Sequence, residues 1–408
     1  MRRFDWTIRA LLGACVLFPA MLAYAETSSW SAWLASQIQQ HPEVLAAREQ
    51  LLGSNASADA LEQPLYNPEL STDLERNGEE DNYRVGVQQT IDWWDRRGAR
   101  RQQAGFMRSA AEALYQQQVL DKNAEALAAL VEWHAANLAA AIAQAQQQQL
   151  NALLEQVDKR QQAGDLGSID AELTFLSLSQ QLAQVAEVEA ALEKAEARVR
   201  ELLPNWAPER GGIPEHFWPS PSGTITDQEL RTHPTVASAY ARWQSLKEEA
   251  EVTRRTARAE PTVGLNAGEN VVGLTFSIPL NVRNNFSAET RAAERTALEA
   301  EARFQAIYRK QRFDWQAAQA TWQRFEQQYR RWQEVVQGRV EKSAELLKRQ
   351  WRTGDLSTTN YLLALNQRTE SLLAGIELEK QTRLALTEAL QQSGHLINAI
   401  KSSTASTN

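Results

Sequence analysis

The chain has 408 residues, 23% of them charged, with 51 acidic against 43 basic side chains and a net charge of −8. That acidic balance argues against nucleic acid as a partner. Its only cysteine, Cys15, lies in an N-terminal segment with the features of a removable address, so the remaining chain has no disulfide or thiol chemistry.

In that segment Arg2, Arg3 and Arg9 form a basic start, Ala10 to Leu22 is mostly apolar, and Ala23-Tyr24-Ala25 is a small-residue cleavage signature. Residues 1–25 are therefore expected to be a signal peptide cut after Ala25. Leu12-Gly13-Ala14-Cys15 is the alternative, a lipoprotein acceptor. Cleavage at Ala25 leaves 40 basic and 50 acidic side chains, a charge of −10. The excess carboxylate reads either as solvated helix faces or as an aid to cations in a pore. No later stretch is expected to cross a bilayer as a helix.

One unit is written twice. His41-Pro42 returns as His233-Pro234, Asn67-Pro68 as Glu260-Pro261, Gly86 as Gly273 and Gly164-Asp165-Leu166 as Gly354-Asp355-Leu356, at shifts of 192, 193, 187 and 190. The first repeat covers 26–203 and the second 227–400; 204–226, rich in Pro and Gly, is expected as a surface linker and 401–408 as a disordered tail.

Each repeat opens with an amphipathic helix, about Ser31 to Ala60 and about Asp227 to Ala259. A β-hairpin follows. Over 68–91, Leu70, Thr72 and Leu74 alternate with polar residues, Asn77-Gly78 begins a turn, and Tyr83, Val85, Val87, Gln89 and Ile91 alternate again. Over 261–279, Val263, Leu265 and Ala267 precede a turn at Gly268-Glu269-Asn270, and Val272, Leu274, Phe276 and Ile278 follow.

Long helices come next, about Ala99 to Gln162 and Ser287 to Arg352, each roughly 90 to 100 Å at about 1.5 Å per residue. Leu120, Ala124, Leu127, Val131, Leu138 and Ile142 recur at threes, fours and sevens, as do Trp322, Phe325, Tyr329, Trp332 and Val336. Core packing explains the second stripe better than a ligand box. Gly164 and Gly354 supply left-handed stops at tips 163–170 and 353–360. Ser168 or Thr358 is placed to cap the returning helices, Ser168 to Leu202 and Thr358 to Ile400.

No catalytic constellation is visible. The histidines at 41, 134, 216, 233 and 395 lack metal-ligand spacing, and there is no phosphate loop or nucleophile elbow. The chain is expected to be no enzyme and to carry no cofactor. His41 and His233, each before a proline, read as structural. Two hairpins apolar on one face make too small a soluble sheet, and four strands cannot close a pore alone, so several protomers would share one barrel.

The order signal, helix, hairpin and long helix pair, given twice, resembles the TolC-like outer-membrane factor family. His41-Pro42, His233-Pro234, the tips Gly164-Asp165-Leu166 to Asp170 and Gly354-Asp355-Leu356 to Asn360, and both strand-to-helix junctions carry the resemblance across nearly all of the chain after the signal. Asp95-Arg96-Arg97-Gly98-Ala99-Arg100 and Ile278-Pro279-Leu280 with Arg283-Asn284 are similar to the CzcC/CusC-like heavy-metal efflux branch; Arg283-Asn284-Asn285 departs from it in lacking a glycine, and the second-hairpin strands are short.

The resemblance implies a mainly α fold with a small β part: a homotrimer with a twelve-stranded barrel in outer-membrane lipid of a Gram-negative bacterium and an α-helical periplasmic tunnel. Gly164, Asp165, Leu166, Gly354, Asp355 and Leu356 would contact a periplasmic adaptor serving an inner-membrane pump of RND type. Asp170 and Asn360 are candidate aperture residues; helix capping explains them as well. The implied function is a passive efflux duct for heavy-metal cations, with drug efflux or type I protein secretion as the alternative. A periplasmic coiled-coil scaffold or adaptor is the rival from another class, but it gives no reason for the hairpins.

Overall fold

The computed structural model describes residues 30–77, 80–164, 167–214, 217–218, 225–269 and 271–405. The signal segment and its Cys15, the tip residues Asp165 and Leu166, and His216 lie outside the described residues. In order come α1 (30–40), α2 (Pro42–Glu62), β1 (Glu69–Asn77), β2 (Glu80–Thr90), α3 (Arg96–Gln162) and α4 (Ser168–Leu202). Then follow α5 (Asp227–Thr232), α6 (Pro234–Thr256), β3 (Thr262–Gly268), β4 (Val272–Ser277), α7 (Ser287–Trp332), α8 (Gly338–Thr353), α9 (Thr358–Gln392) and α10 (Leu396–Ala405).

Where one opening helix was expected, the structure has two, because each histidine-proline pair breaks the run. Proline removes an amide donor and disfavours the helical region for the residue before it. His233 has ψ 131, outside the helix, and its Nδ1 accepts from the Thr235 amide at 3.3 Å. The ring is buried and lies 3.4 Å from Gln311. This is the structural role expected for it.

α3 runs unbroken for 67 residues, about 100 Å. By length and composition it does qualify as a membrane span, contrary to the sequence expectation. Its alanine content explains this, and half of the qualifying window is buried within the chain, as in a core helix. The other long helix is interrupted. After α7 a π-turn at Gln333–Gln337 inserts extra backbone before α8 begins. The returning helix is also broken, at Ser393, Gly394 (φ 74) and His395. The tail expected to be disordered is helical as far as Ala405.

The chain divides into two units. Unit one comprises Met1–Pro42, Val119–Ile225 and Phe313–Asn408. Leu34, Ile38, Leu120, Leu127, Leu130 and Leu203 are fully buried in it. The expected surface linker is pinned into this core: Trp206 and Phe217 are buried, edge-on to Trp133 at 4.9 Å and to Trp30 at 5.0 Å. Aromatic burial of this size outweighs the turn-forming composition around it.

Unit two comprises Glu43–Gln118 and Thr226–Arg312. It contains the sheet, of order β1-β2-β3-β4, antiparallel throughout. Trp243 stacks on Phe304 at 5.6 Å, while Val44, Leu230 and Val236 fill its helical core.

Candidate functional site: a bare sheet face, two junctions and two tips

The sheet register decides which side chains share a face, since alternate residues point oppositely. Leu70 pairs with Val87, Val87 with Leu265, and Leu265 with Leu274. A second row runs Thr72, Val85, Ala267, Val272, and a third Gln89, Val263, Phe276. The opposite face carries Ser71, Gly86, Asn266, Gly273 and Glu69, Gln88, Gly264, Thr275. Polar pairs bridge it, Gln88 Nε2 donating to Glu69 at 2.7 Å.

The apolar rows are uncovered. Leu70 is 72% exposed, Val272 75% and Leu274 90%, so none of the described residues packs closely on them. Strands β1 and β4 are open edges. A four-stranded sheet with one bare apolar face and two free edges is not a stable end state in water.

Both exits from the sheet into long helices are built by side-chain caps. Asp92 accepts from the amides of Arg96 at 2.7 Å and Arg97 at 2.8 Å, placing a carboxylate at the positive end of α3. Asp95 takes a left-handed φ of 53 and accepts from the Gly98 amide at 3.2 Å. At the second exit Asn284 and Asn285 accept from Phe286 and Ser287, and Phe286 has φ 54. Asparagine caps around one left-handed phenylalanine thus shape this junction.

Contacts distant in sequence tie the first exit to the second hairpin. Trp94 Nε1 donates to the Ala259 carbonyl at 2.8 Å, and Arg258 lies over its ring at 4.8 Å. Arg255 reaches the Trp94 and Asp95 carbonyls and the Asp95 carboxylate, the last at 3.1 Å. Tyr66 donates to Glu260, and Arg96 donates to Tyr66 Oη at 2.7 Å and to Glu260 at 3.2 Å. Burial, then the bond to Glu260, pushes the Tyr66 phenol above its ordinary pKa. Arg96 Nε and Glu260 Oε1 stay buried without partners. Nothing in the sequence marks this cluster, since Tyr66 and Glu260 stand 194 positions apart.

At the tips Gly164 (φ 78) and Gly354 (φ 82) are left-handed, as expected. The caps sit one residue earlier than expected. Gly167 precedes α4 with no side-chain cap, and Ser357 accepts from the Asn360 amide at 3.3 Å. Ser168 and Thr358 are already helical, and buried Thr358 accepts from Trp351 Nε1 at 3.3 Å. Beneath the tips lies a core of Leu150, Leu153, Val157, Trp351, Tyr361 and Leu362, with Leu356 against it and Trp351 stacked on Tyr361 at 5.2 Å. Asp355 accepts from Thr353 Oγ1 at 2.7 Å.

The structure joins the two tips through one candidate aperture residue. Asp170 Oδ1 accepts from Thr359 Oγ1 at 3.0 Å. Asn360, beside Thr359, is exposed. On α4, Ile169 (75%), Phe175 and Leu176 are exposed apolar residues that no motif in the sequence marks. Among the described residues no group of three His, Cys, Asp or Glu is placed to hold a metal ion.

No family model matches the chain, and no curated protein does. Solved structures do. The outer-membrane channel OprN superposes with TM-score 0.76 at 16% identity, over 91% of each chain. The CmeC outer-membrane channel of Campylobacter jejuni gives 0.74 at 13%, over 93% of this chain and 89% of its own. CusC, whose structures describe transmembrane channel formation, gives 0.73 at 12%, over 89% and 91%. The chain has the fold of TolC-like outer-membrane channels.

Proposed function

We propose that the chain is the outer-membrane duct of a tripartite efflux system, working without an energy source or catalytic site of its own. The observation that carries this is the sheet: apolar rows bare across all four strands, polar rows behind them, and both edges open. Lipid covers the first, a water-filled lumen suits the second, and pairing between protomers removes the third. Three protomers giving four strands each would close a twelve-stranded barrel, with the long helices forming the periplasmic tunnel. The two halves of the chain act as repeats of one unit.

In this reading the Gly164–Leu166 and Gly354–Leu356 tips meet a periplasmic adaptor coupled to an inner-membrane pump. Asp170 and Asn360 surround the aperture, and the Asp170–Thr359 bond holds the tips together. Heavy-metal cations are the proposed cargo, supported by the two junction sequences and the acidic balance of the chain.

The test is deletion of the gene in its native host, with growth measured against zinc, cobalt, cadmium, copper and silver and against detergents and hydrophobic drugs. Sensitivity to metals alone supports the reading. Broad drug sensitivity with normal metal tolerance overturns the cargo and leaves the duct. A chain recovered as a soluble periplasmic protein, without a trimer in the outer-membrane fraction, overturns the duct itself.

A further inference from the structure

The exposed apolar stripe of the sheet does not stop where the strands do. Val272, Leu274, Phe276, Ile278, Leu280 and Val282 alternate along β4 and its exit, each between 46% and 90% exposed, although β4 itself ends at Ser277. The run on β2 likewise passes its last strand residue, Thr90, to reach exposed Ile91 and Trp93. At about 3.3 Å per residue and a tilt of about 40°, the run from Val272 to Val282 spans roughly 25 Å, the height of the apolar band on a membrane barrel. The residues that follow Trp93 and Val282 therefore fall at headgroup level.

That level is basic. Two hydrogen bonds clasp the segment before β3 between the exits: Asn281 Nδ2 donates to the Ala257 carbonyl and Trp94 Nε1 to the Ala259 carbonyl, each at 2.8 Å. Arg258, between those carbonyls, is exposed and lies over the Trp94 ring at 4.8 Å. A guanidinium stacked on an indole keeps its N–H edge free for an anion. Arg283, just past Asn281, is exposed as well. Arg254 and Arg255 nearby are held by Glu251, whereas neither Arg258 nor Arg283 has a carboxylate partner among the described residues.

We propose that this collar binds the headgroup of an anionic phospholipid. The guanidinium groups of Arg258 and Arg283 take the phosphate, whose oxygens match their paired donors. Trp93, Leu280 and Val282 lie beside the glycerol and the first acyl carbons, as aromatic and apolar side chains do at a membrane interface. Charge and apolarity select together: a soluble anion would satisfy the arginines but leave the apolar half of the collar bare. The inference rests on the lipid-facing reading of the sheet and adds to it a preference among lipids.

The test reconstitutes the full mature chain in phosphatidylcholine vesicles and follows tryptophan fluorescence as a quenching lipid replaces the host. The quencher is either phosphatidylglycerol or phosphatidylcholine, dibrominated near the headgroup end of the acyl chain. Phosphatidylglycerol should quench with about fivefold higher relative affinity, the effect of one arginine at a charged surface. Arg258→Gln and Arg283→Gln should each lower that ratio, and the double variant should bring it to one. Arg291→Gln, which removes another exposed arginine on α7, should leave it unchanged. Retained circular dichroism and assembly size qualify each variant for comparison. Equal quenching by the two lipids, an undiminished ratio in the double variant, or an equal drop in Arg291→Gln overturns the headgroup site while the lipid-facing sheet stands. Quenching by neither lipid overturns both. Loss of the preference in inorganic phosphate, at an ionic strength matched with chloride, gives the arginines to a soluble anion and overturns the lipid.

Discussion

Leu274 offers a decisive perturbation because the chain alone assigns it no packing. It is 90% exposed and sits in the row Leu70, Val87, Leu265, Leu274. Were that face in water, Leu274→Arg would be an ordinary surface change, within about 0.5 kcal/mol of neutral. If the face meets hydrocarbon, an arginine near the bilayer middle costs about 2–4 kcal/mol. That corresponds to roughly a 25- to 700-fold loss in the folding equilibrium. The control is Gln88→Lys, one position from Val87 on the opposite face, which keeps a donor for Glu69. Urea titrations of refolding into vesicles, followed by tryptophan fluorescence, compare the two. Leu274→Arg should shift strongly and Gln88→Lys little. A Leu274→Arg protein within 0.5 kcal/mol of the parent would refute the lipid-facing assignment.

Further predictions rest on the junctions and tips. Glu260→Ala leaves Arg96 charged and only partly exposed, side-chain exposures being 18% and 5%, with Tyr66 its remaining partner, so it should cost about 1–3 kcal/mol by chemical denaturation. Arg96→Met with Glu260→Leu should recover much of that loss. Asp92→Ala removes acceptors for two α3 amides and should cost about 1–2 kcal/mol, with faster hydrogen exchange at Arg96 and Arg97. Gly354→Ala, with open space around it but φ 82, should cost about 1–2 kcal/mol from backbone strain alone. Burial works to raise the Glu251 carboxyl, but bonds from Arg255 and Arg254 win and hold it below 4.5. Its stabilisation is therefore full above that value and lost as the pH falls through the lower folded pKa. A melting-temperature profile should fall there, and less steeply in Arg255→Ala.

The long elements were legible because a uniform environment along one face imposes a period. Val85, Val87, Leu265 and Leu274 alternate since one sheet face is uniform, and the α3 seam repeats since one helix stripe is packed. What escaped were features set by single backbone positions or by distant partners. A π-turn at Gln333–Gln337 leaves the apolar spacing almost intact, so α7 and α8 read as one helix. Asp95 and Phe286 carry left-handed angles that their residue types do not announce. Trp206 and Phe217 sit in proline-rich sequence that resembles a linker, and only their partners Trp133 and Trp30 reveal them as core. Tyr66, Arg96 and Glu260 become one cluster only after two hairpins have paired.

That pairing fixes an order of events during biogenesis. Thr90 and Thr262, whose hydroxyls meet at 2.8 Å, are separated by 172 residues. At synthesis rates of about 5–20 residues per second, the β2 edge waits roughly 9 to 34 s before β3 has been made. Throughout that interval the first hairpin can close on itself, yet its inner edge remains a template for any passing strand. A nascent chain of this design therefore depends on being held unfolded until its second half arrives, and a holdase acting on β2 would govern yield more than the stability of the finished sheet.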